Sequence, residues 1–352
     1  MDIGHCTGIA ADRARSEGAA CDFRDVLPLA AMVAVLGTLS HLLAGKRAIP
    51  ILGADRLSYM LIPLTVWGLF YLLAFLLHLF RASRAGTTPA PWRGSAEWRP
   101  LPGAAIVLLA FYGITSSGDL AEIYRTHASH WHDALLWHLE YPLHAALAGS
   151  WLDWPRFWDG IYFQMWTFVL VVAAHAYSTE GSRRCAVLGL SILLAFYLTR
   201  AINLAFPTAG PAFFQPTAFA LDGTVSKAVQ DLLRAYMAGR LPANGIYPAT
   251  MALPSLHVGL TAIAVWFLAE RRPWSLCFSL PWLLMMWLST VVLGWHYFLD
   301  GLAGLLVAAV AVGLAGRVQD AAERYVGRRR PPPVAGAAEE GISPWKIPGT
   351  AD

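Results

Sequence analysis

The sequence predicts an all-α, polytopic integral membrane protein with about eight transmembrane helices. Three observations carry that prediction. Of 352 residues, 57% are hydrophobic and only 14% charged, against roughly half and roughly a quarter in soluble domains. Mean hydropathy is +0.48. The apolar residues also gather into runs of the length a bilayer demands, roughly 20 residues for about 30 Å at about 1.5 Å each. Other classes are excluded by the same numbers. A soluble fold does not carry so large an apolar surplus, and a net charge of +3 is too small to imply nucleic acid. Cys6, Cys21, Cys185 and Cys277 lie far apart with no Cys-x-x-Cys, which gives neither a disulfide framework nor a zinc knuckle.

In chain order the eight runs are Val26–Gly45, Leu57–Phe80, Pro100–Gly118, Gly160–Thr179, Cys185–Phe206, Ser255–Ala269, Pro273–Trp295 and His296–Gly316. The first is read as retained, because acidic as well as basic residues precede it and no small-residue cleavage pattern follows. Arginines fix the orientation. Arg81, Arg84, Arg93 and Arg99 separate runs two and three, Arg183 and Arg184 separate four and five, and Arg271 and Arg272 separate six and seven. Those loops belong on the cytoplasmic side, as does the tail with Arg317, Arg324 and Arg328–Arg330. Lys46, Arg47 and Arg56 point the other way, and the balance puts both termini in the cytoplasm. The expected membrane is a bacterial-type inner, or plasma, membrane.

Two long segments then lie outside, Asp119–Asp159 and Phe206–Pro254. In the first, Leu135, Leu139 and Leu143 among Trp131, Trp137 and Trp151 read as an interfacial helix over about 125–150. The second carries six prolines and is expected to be ordered loop with a helix near Val225–Met237. The organisation is therefore a cytoplasmic segment (1–25), two N-terminal transmembrane helices (26–99), a catalytic core (100–318) and a disordered cytoplasmic tail (319–352).

Ionisable groups at membrane depth are costly and tend to stand where they work. Three stand out. His257 opens a run in Leu253-Pro254-Ser255-Leu256-His257-Val258-Gly259, while His296 and Asp300 sit in Gly294-Trp295-His296-Tyr297-Phe298-Leu299-Asp300. In the orientation above, both segments lie at the outer face, where the imidazoles can converge. Asp300 follows His296 by four residues, so on a helix its carboxylate can accept the imidazole N–H and fix the tautomer. Ser255 begins a helix whose N-terminus suits a phosphate oxygen. This set supports phosphoryl transfer without metal. His296 is the expected nucleophile, Asp300 orients it, and His257 protonates the leaving oxygen and then activates the acceptor. Arg200, Ser255, Asn203 and Gly210 are the expected substrate- and phosphate-binding residues, with Lys227, Arg234 and Arg240 as weaker candidates.

These motifs resemble the type 2 phosphatidic acid phosphatase superfamily over roughly Asp119 to Gly316. Its second motif, Pro-Ser-Gly-His, is matched by Pro254-Ser255-Leu256-His257. Its third, Ser-Arg, five residues, His, three residues and Asp, places Ser289 and Thr290 where Ser-Arg would stand. Its first, Lys with Arg-Pro six residues on, is met only by Arg200. What remains is similar to the inositol phosphorylceramide synthase branch, through the Pro-Ser-Leu-His form, the His296-Tyr297-Phe298 form, the Phe206-Pro207-Thr208-Ala209-Gly210-Pro211 loop, and Asp133 to Glu140 followed by Tyr162. The resemblance implies a six-helix catalytic core, a phosphohistidine intermediate, an outward-facing site and a phospholipid donor with a lipid or alcohol acceptor.

Other readings compete. A lipid phosphate phosphatase acting on phosphatidate or a polyprenyl (di)phosphate would use the same residues with water as acceptor. A non-enzymatic lipid-binding or transport protein would keep only the fold, and no internal symmetry of the transporter kind is evident. His127, His130, His132 and His138 do not share one helical face, so they are read as interface residues and not as a metal set. Asp133 and Glu140 are expected to stabilise the interfacial helix. No cofactor is implied, because neither a P-loop nor a dinucleotide fingerprint is present.

Overall fold

The structure, a computed structural model, describes residues 23–43, part of 61–84, 100–118, 120, 123, 131–150, 152–240 and 252–328. The first 22 residues, most of the second run, His127, His130, the 241–251 stretch and the end of the tail lie outside the described residues. Among the described residues there is no strand. The helices are α1 (Leu27–Leu43), α2 (Pro100–Ser116), α3 (Asp133–Leu147), α4 (Pro155–Tyr162), α5 (Met165–Ala205), the single turn α6 (Pro211–Phe214), α7 (Val225–Met237), α8 (Leu256–Arg271), α9 (Leu276–Val292) and α10 (Phe298–Arg328).

Runs four and five join into α5, which is bent back on itself. A straight helix would set Trp166 and Phe196 about 45 Å apart, yet their rings stack with centroids 6.1 Å apart. The reversal is at Gly181, whose φ of 86° and ψ of −175° are open to glycine and strained for other residues. By length and composition, Arg24–Leu43, Pro155–Ala205, Pro273–Val292 and Phe298–Tyr325 can cross a membrane, and the hairpin is long enough to do so twice. Leu256–Arg271 is shorter and is buried along much of its length against α5 and α10.

The bundle turns an apolar face outward. Along α10, Leu302, Leu306, Val310 and Leu314 recur every fourth residue and are exposed, while Val307, Ala308, Ala311 and Ala315 face the core. Such a stripe fits lipid and not water. This is an integral membrane protein.

The two ends of the bundle differ in chemistry. At one end Arg183 pairs with Asp320 (2.8 Å) and Glu323 (2.5 Å), Arg184 pairs with Glu180 and Glu270, Arg271 meets Glu180 (3.4 Å), and Ser182 donates to Asp25 (2.5 Å). At the other end lie the starts of α8 and α10 with the residues considered below. The ion pairs also correct the tail boundary. Helix α10 continues to Arg328, past the expected disorder from 319, because Gln319 is buried and Asp320 and Glu323 are held by Arg183. The segment before the hairpin likewise holds two helices, α3 and α4, where one was expected, and the Gly160 start of run four falls inside α4. The loop helix appears at Val225–Met237.

Candidate active site

Two helices must touch for the histidines to meet. A Cβ on Gly304 would stand 2.4 Å from the carbonyl oxygen of Ser255, so only glycine lets the backbones of α8 and α10 approach this closely. The Ser255 N–H then donates to the Asp300 carbonyl at 2.8 Å. This contact joins the Pro254-Ser255-Leu256-His257 and His296–Asp300 segments.

The His257 and His296 rings approach each other with centroids 6.2 Å apart and planes inclined by 53°. Such a gap accommodates a phosphorus about 3–3.5 Å from one nitrogen and an ester oxygen within about 2.6–3.2 Å of the other. His296 Nδ1 lies 2.7 Å from the carbonyl oxygen of Ala252 and 3.5 Å from Asp300 Oδ2. A carbonyl can only accept, so Nδ1 carries the proton and Nε2 keeps its lone pair. This corrects one expectation, since a main-chain oxygen and not the Asp300 carboxylate is the closer partner that sets the tautomer. Asp300 is fully buried, and its Oδ2 accepts the Tyr297 N–H at 2.8 Å. Its Oδ1 has no hydrogen-bond partner among the described residues.

Three of the expected phosphate-binding residues are hydrogen-bonded to the scaffold. Asn203 Nδ2 donates to the Leu253 carbonyl at 2.8 Å, anchoring the segment before Pro254. The Gly210 N–H donates to Asp133 Oδ1 at 2.8 Å. Ser255 is the N-cap of α8, its Oγ accepting the Val258 N–H at 3.4 Å. The amides of Leu256 and His257, with no acceptor inside the helix by position, are what the α8 N-terminus offers to an oxygen. Arg200 is buried three residues before Asn203 on α5. Among the weaker cations, Lys227 and Arg234 both pair with Asp231 at 2.5 Å, and Arg234 also donates to the Ala212 carbonyl. Thr290 is buried, its hydroxyl donating to Trp287 O at 2.7 Å and its carbonyl accepting the N–H groups of Trp295 and His296.

Three carboxylates fasten the rim of the site, each gripping two successive backbone N–H groups. Asp133 takes Ala209 and Gly210 (both 2.8 Å), Glu140 takes Phe298 (2.6 Å) and Leu299 (2.8 Å), and Asp159 takes Val225 (2.7 Å) and Ser226 (2.9 Å). The last two cap the N-termini of α10 and α7, where negative charge is favoured. Burial pushes the Asp133 and Glu140 carboxyls up, opposed by these N–H donors. Burial also raises the Tyr297 hydroxyl, which donates to Asp133. His144, stacked on Trp137 with centroids 5.1 Å apart, is lowered to about 4 by burial. Asp133 and Glu140 therefore hold α3 against the site. Among the described residues no three His, Cys, Asp or Glu side chains form a metal-ligand group.

Sequence reasoning missed Ala252, whose part is main-chain and leaves no side-chain signal. It also missed Asp159, a buried acid beside a membrane run, which could have been singled out by the rule that found Asp300. The family model of the PAP2 superfamily matches residues 129–314, which runs from before α3 into α10 and takes in every residue described at the site. Searches of curated proteins and of solved structures returned no match.

Proposed function

This chain belongs to the PAP2 superfamily, and on that premise we propose that it is a membrane phosphotransferase that carries a phosphate-containing headgroup from a phospholipid donor to a lipid or alcohol acceptor. The observation that carries the reading is the pair of imidazoles 6.2 Å apart, with His296 held in the Nδ1–H tautomer. In the first step His296 Nε2 attacks phosphorus, the bond from phosphorus to the donor's leaving oxygen breaks, and His257 supplies the proton to that oxygen. In the second, His257 takes the acceptor hydroxyl's proton, the acceptor oxygen attacks phosphorus, and the P–N bond breaks to restore His296. Asp300 stabilises the positive charge that develops on His296, and Arg200 with the α8 N-terminal amides neutralises the phosphoryl oxygens. The mechanism assigns no step to a metal.

Transfer is preferred to hydrolysis on the strength of position 290. A buried, hydrogen-bonded Thr290 stands where the superfamily motif has an arginine, which suits a singly charged phosphodiester better than a dianionic phosphomonoester. The motif forms described above make an inositol phosphorylceramide synthase-like transferase the particular reading. The arginines at the far end of the bundle support a site on the non-cytoplasmic face.

Purified protein incubated with a labelled phospholipid, with and without ceramide or another alcohol, tests the proposal. Acceptor-dependent formation of a new phosphorylated lipid is expected. Free phosphate released without acceptor would make the enzyme a lipid phosphatase, and no turnover with any phospholipid would favour a non-enzymatic lipid-binding protein.

A further inference from the structure

His257 has a second aromatic neighbour. The Tyr162 ring lies flat on it, with centroids 3.9 Å apart and planes 19° apart. On its own account Tyr162 also stacks on Trp295, with centroids 5.4 Å apart and planes within 5°. Tyr162 is 6% exposed and ends α4. Its position is fixed from both sides. Asp159, one turn earlier on α4, grips the Val225 and Ser226 amides, and Ser226 Oγ accepts the Trp295 indole N–H at 2.9 Å. Gln230 of α7 donates to the Leu293 carbonyl at 2.9 Å, holding the turn that carries Trp295 and His296. A closed ring of contacts thus runs from α4 through α7 and Trp295 back to Tyr162, and its open face is His257.

We propose that Tyr162 is a positioning residue for His257, fixing the plane of the imidazole toward His296 and stabilising the imidazolium through its ring face. The inference rests on the phosphotransfer reading, in which His257 alternates between protonated and neutral forms. The electron-rich face of a tyrosine attracts a cation placed over it, and more strongly away from water. Among the described residues, the titratable groups against His257 are Tyr162 and His296, with Asp300 behind His296 and Asp159 one turn before Tyr162 on α4, while Arg200 is buried on the hairpin that packs against α8. Face-on contact makes the ring, not the hydroxyl, the acting group.

The experiment replaces Tyr162 by phenylalanine and then by progressively fluorinated phenylalanines, which keep the shape and drain the face of electron density. Tyr162→Phe is expected to retain kcat within about threefold, because the stacking face is kept. Fluorination is expected to lower kcat stepwise, by about tenfold in all, with KM for the labelled phospholipid unchanged. The alkaline limb of kcat, beyond which His257 loses its proton, moves to lower pH, since a weaker face holds the imidazolium less well. NMR titration of the His257 ring in the same variants reads this shift without turnover, so it stands even if the phospholipid is not a substrate. A His257 titration unchanged along the series overturns the proposal. So does a loss in Tyr162→Phe as large as in the fluorinated forms, which would assign the role to the hydroxyl.

Discussion

His296 donates its Nδ1 proton to the main-chain carbonyl of Ala252 at 2.7 Å, nearer than the 3.5 Å to Asp300 Oδ2. The tautomer of the proposed nucleophile is thus set by backbone, and the buried acid acts on it chiefly through charge. In catalytic triads the loss of about 10⁴ on converting the acid to its amide follows from the wrong tautomer. Here the tautomer survives that change.

Asp300→Asn is accordingly expected to fold and to lose about ten- to hundredfold in kcat, less than in a triad. His296→Ala and His257→Ala are each expected to lose at least about 10²-fold. Steady-state turnover of a labelled phospholipid by the three variants checks the order. An Asp300→Asn enzyme as inactive as His296→Ala would mean that the carboxylate, and not Ala252, governs the ring.

Glu140→Gln should destabilise the start of α10. Glutamine offers one oxygen where two N–H groups, Phe298 and Leu299, are now accepted, and an amide N–H left unmet costs about 1–3 kcal/mol. Thermal melting in detergent should fall, and activity with it, because Asp300 lies on the first turn of the same helix. A variant with unchanged melting and activity would show that the clasp carries no weight.

His144 gives stability a pH dependence of known sign. Its folded value, about 4, lies below the ordinary 6.5, so the folded protein binds fewer protons than the unfolded chain between those values. Its contribution is complete above about pH 6.5 and is lost as pH falls toward 4, at most about 1.4 kcal/mol per pH unit. Melting temperatures between pH 7 and 5 should fall more steeply for the parent protein than for His144→Phe. Parallel slopes would contradict the burial of a neutral imidazole.

Turnover is expected to persist in excess chelator, because the proposed steps use imidazole, carboxylate, guanidinium and backbone N–H groups alone. Abolition by chelator and rescue by one divalent ion would contradict those steps.

Most of the fold was legible in the sequence because membrane spans are written in composition. The run Pro100–Gly118 became Pro100–Ser116, and Val225–Met237 was read to the residue. Convergence of His257 with His296 and Asp300 was legible because charge at membrane depth is rare. The clasps were not, since a carboxylate that holds two backbone amides looks in sequence like one that could hold a headgroup. The scaffold bonds of Asn203 and Gly210 were not legible for the complementary reason. Both residues sit beside the site, but their N–H groups face Leu253 and Asp133. The extension of α10 to Arg328 depended on Arg183, which is distant in sequence and meets Asp320 and Glu323 only in the fold.

The central claim, a covalent bond between a lipid-derived phosphoryl group and one imidazole, is tested most directly by trapping it. The parent protein, mixed with a headgroup-labelled phospholipid in the absence of acceptor and quenched in alkali, should carry an alkali-stable, acid-labile label that peptide mass spectrometry places on His296. Turnover by the parent protein with no such adduct, or with the label on another residue, would contradict the account.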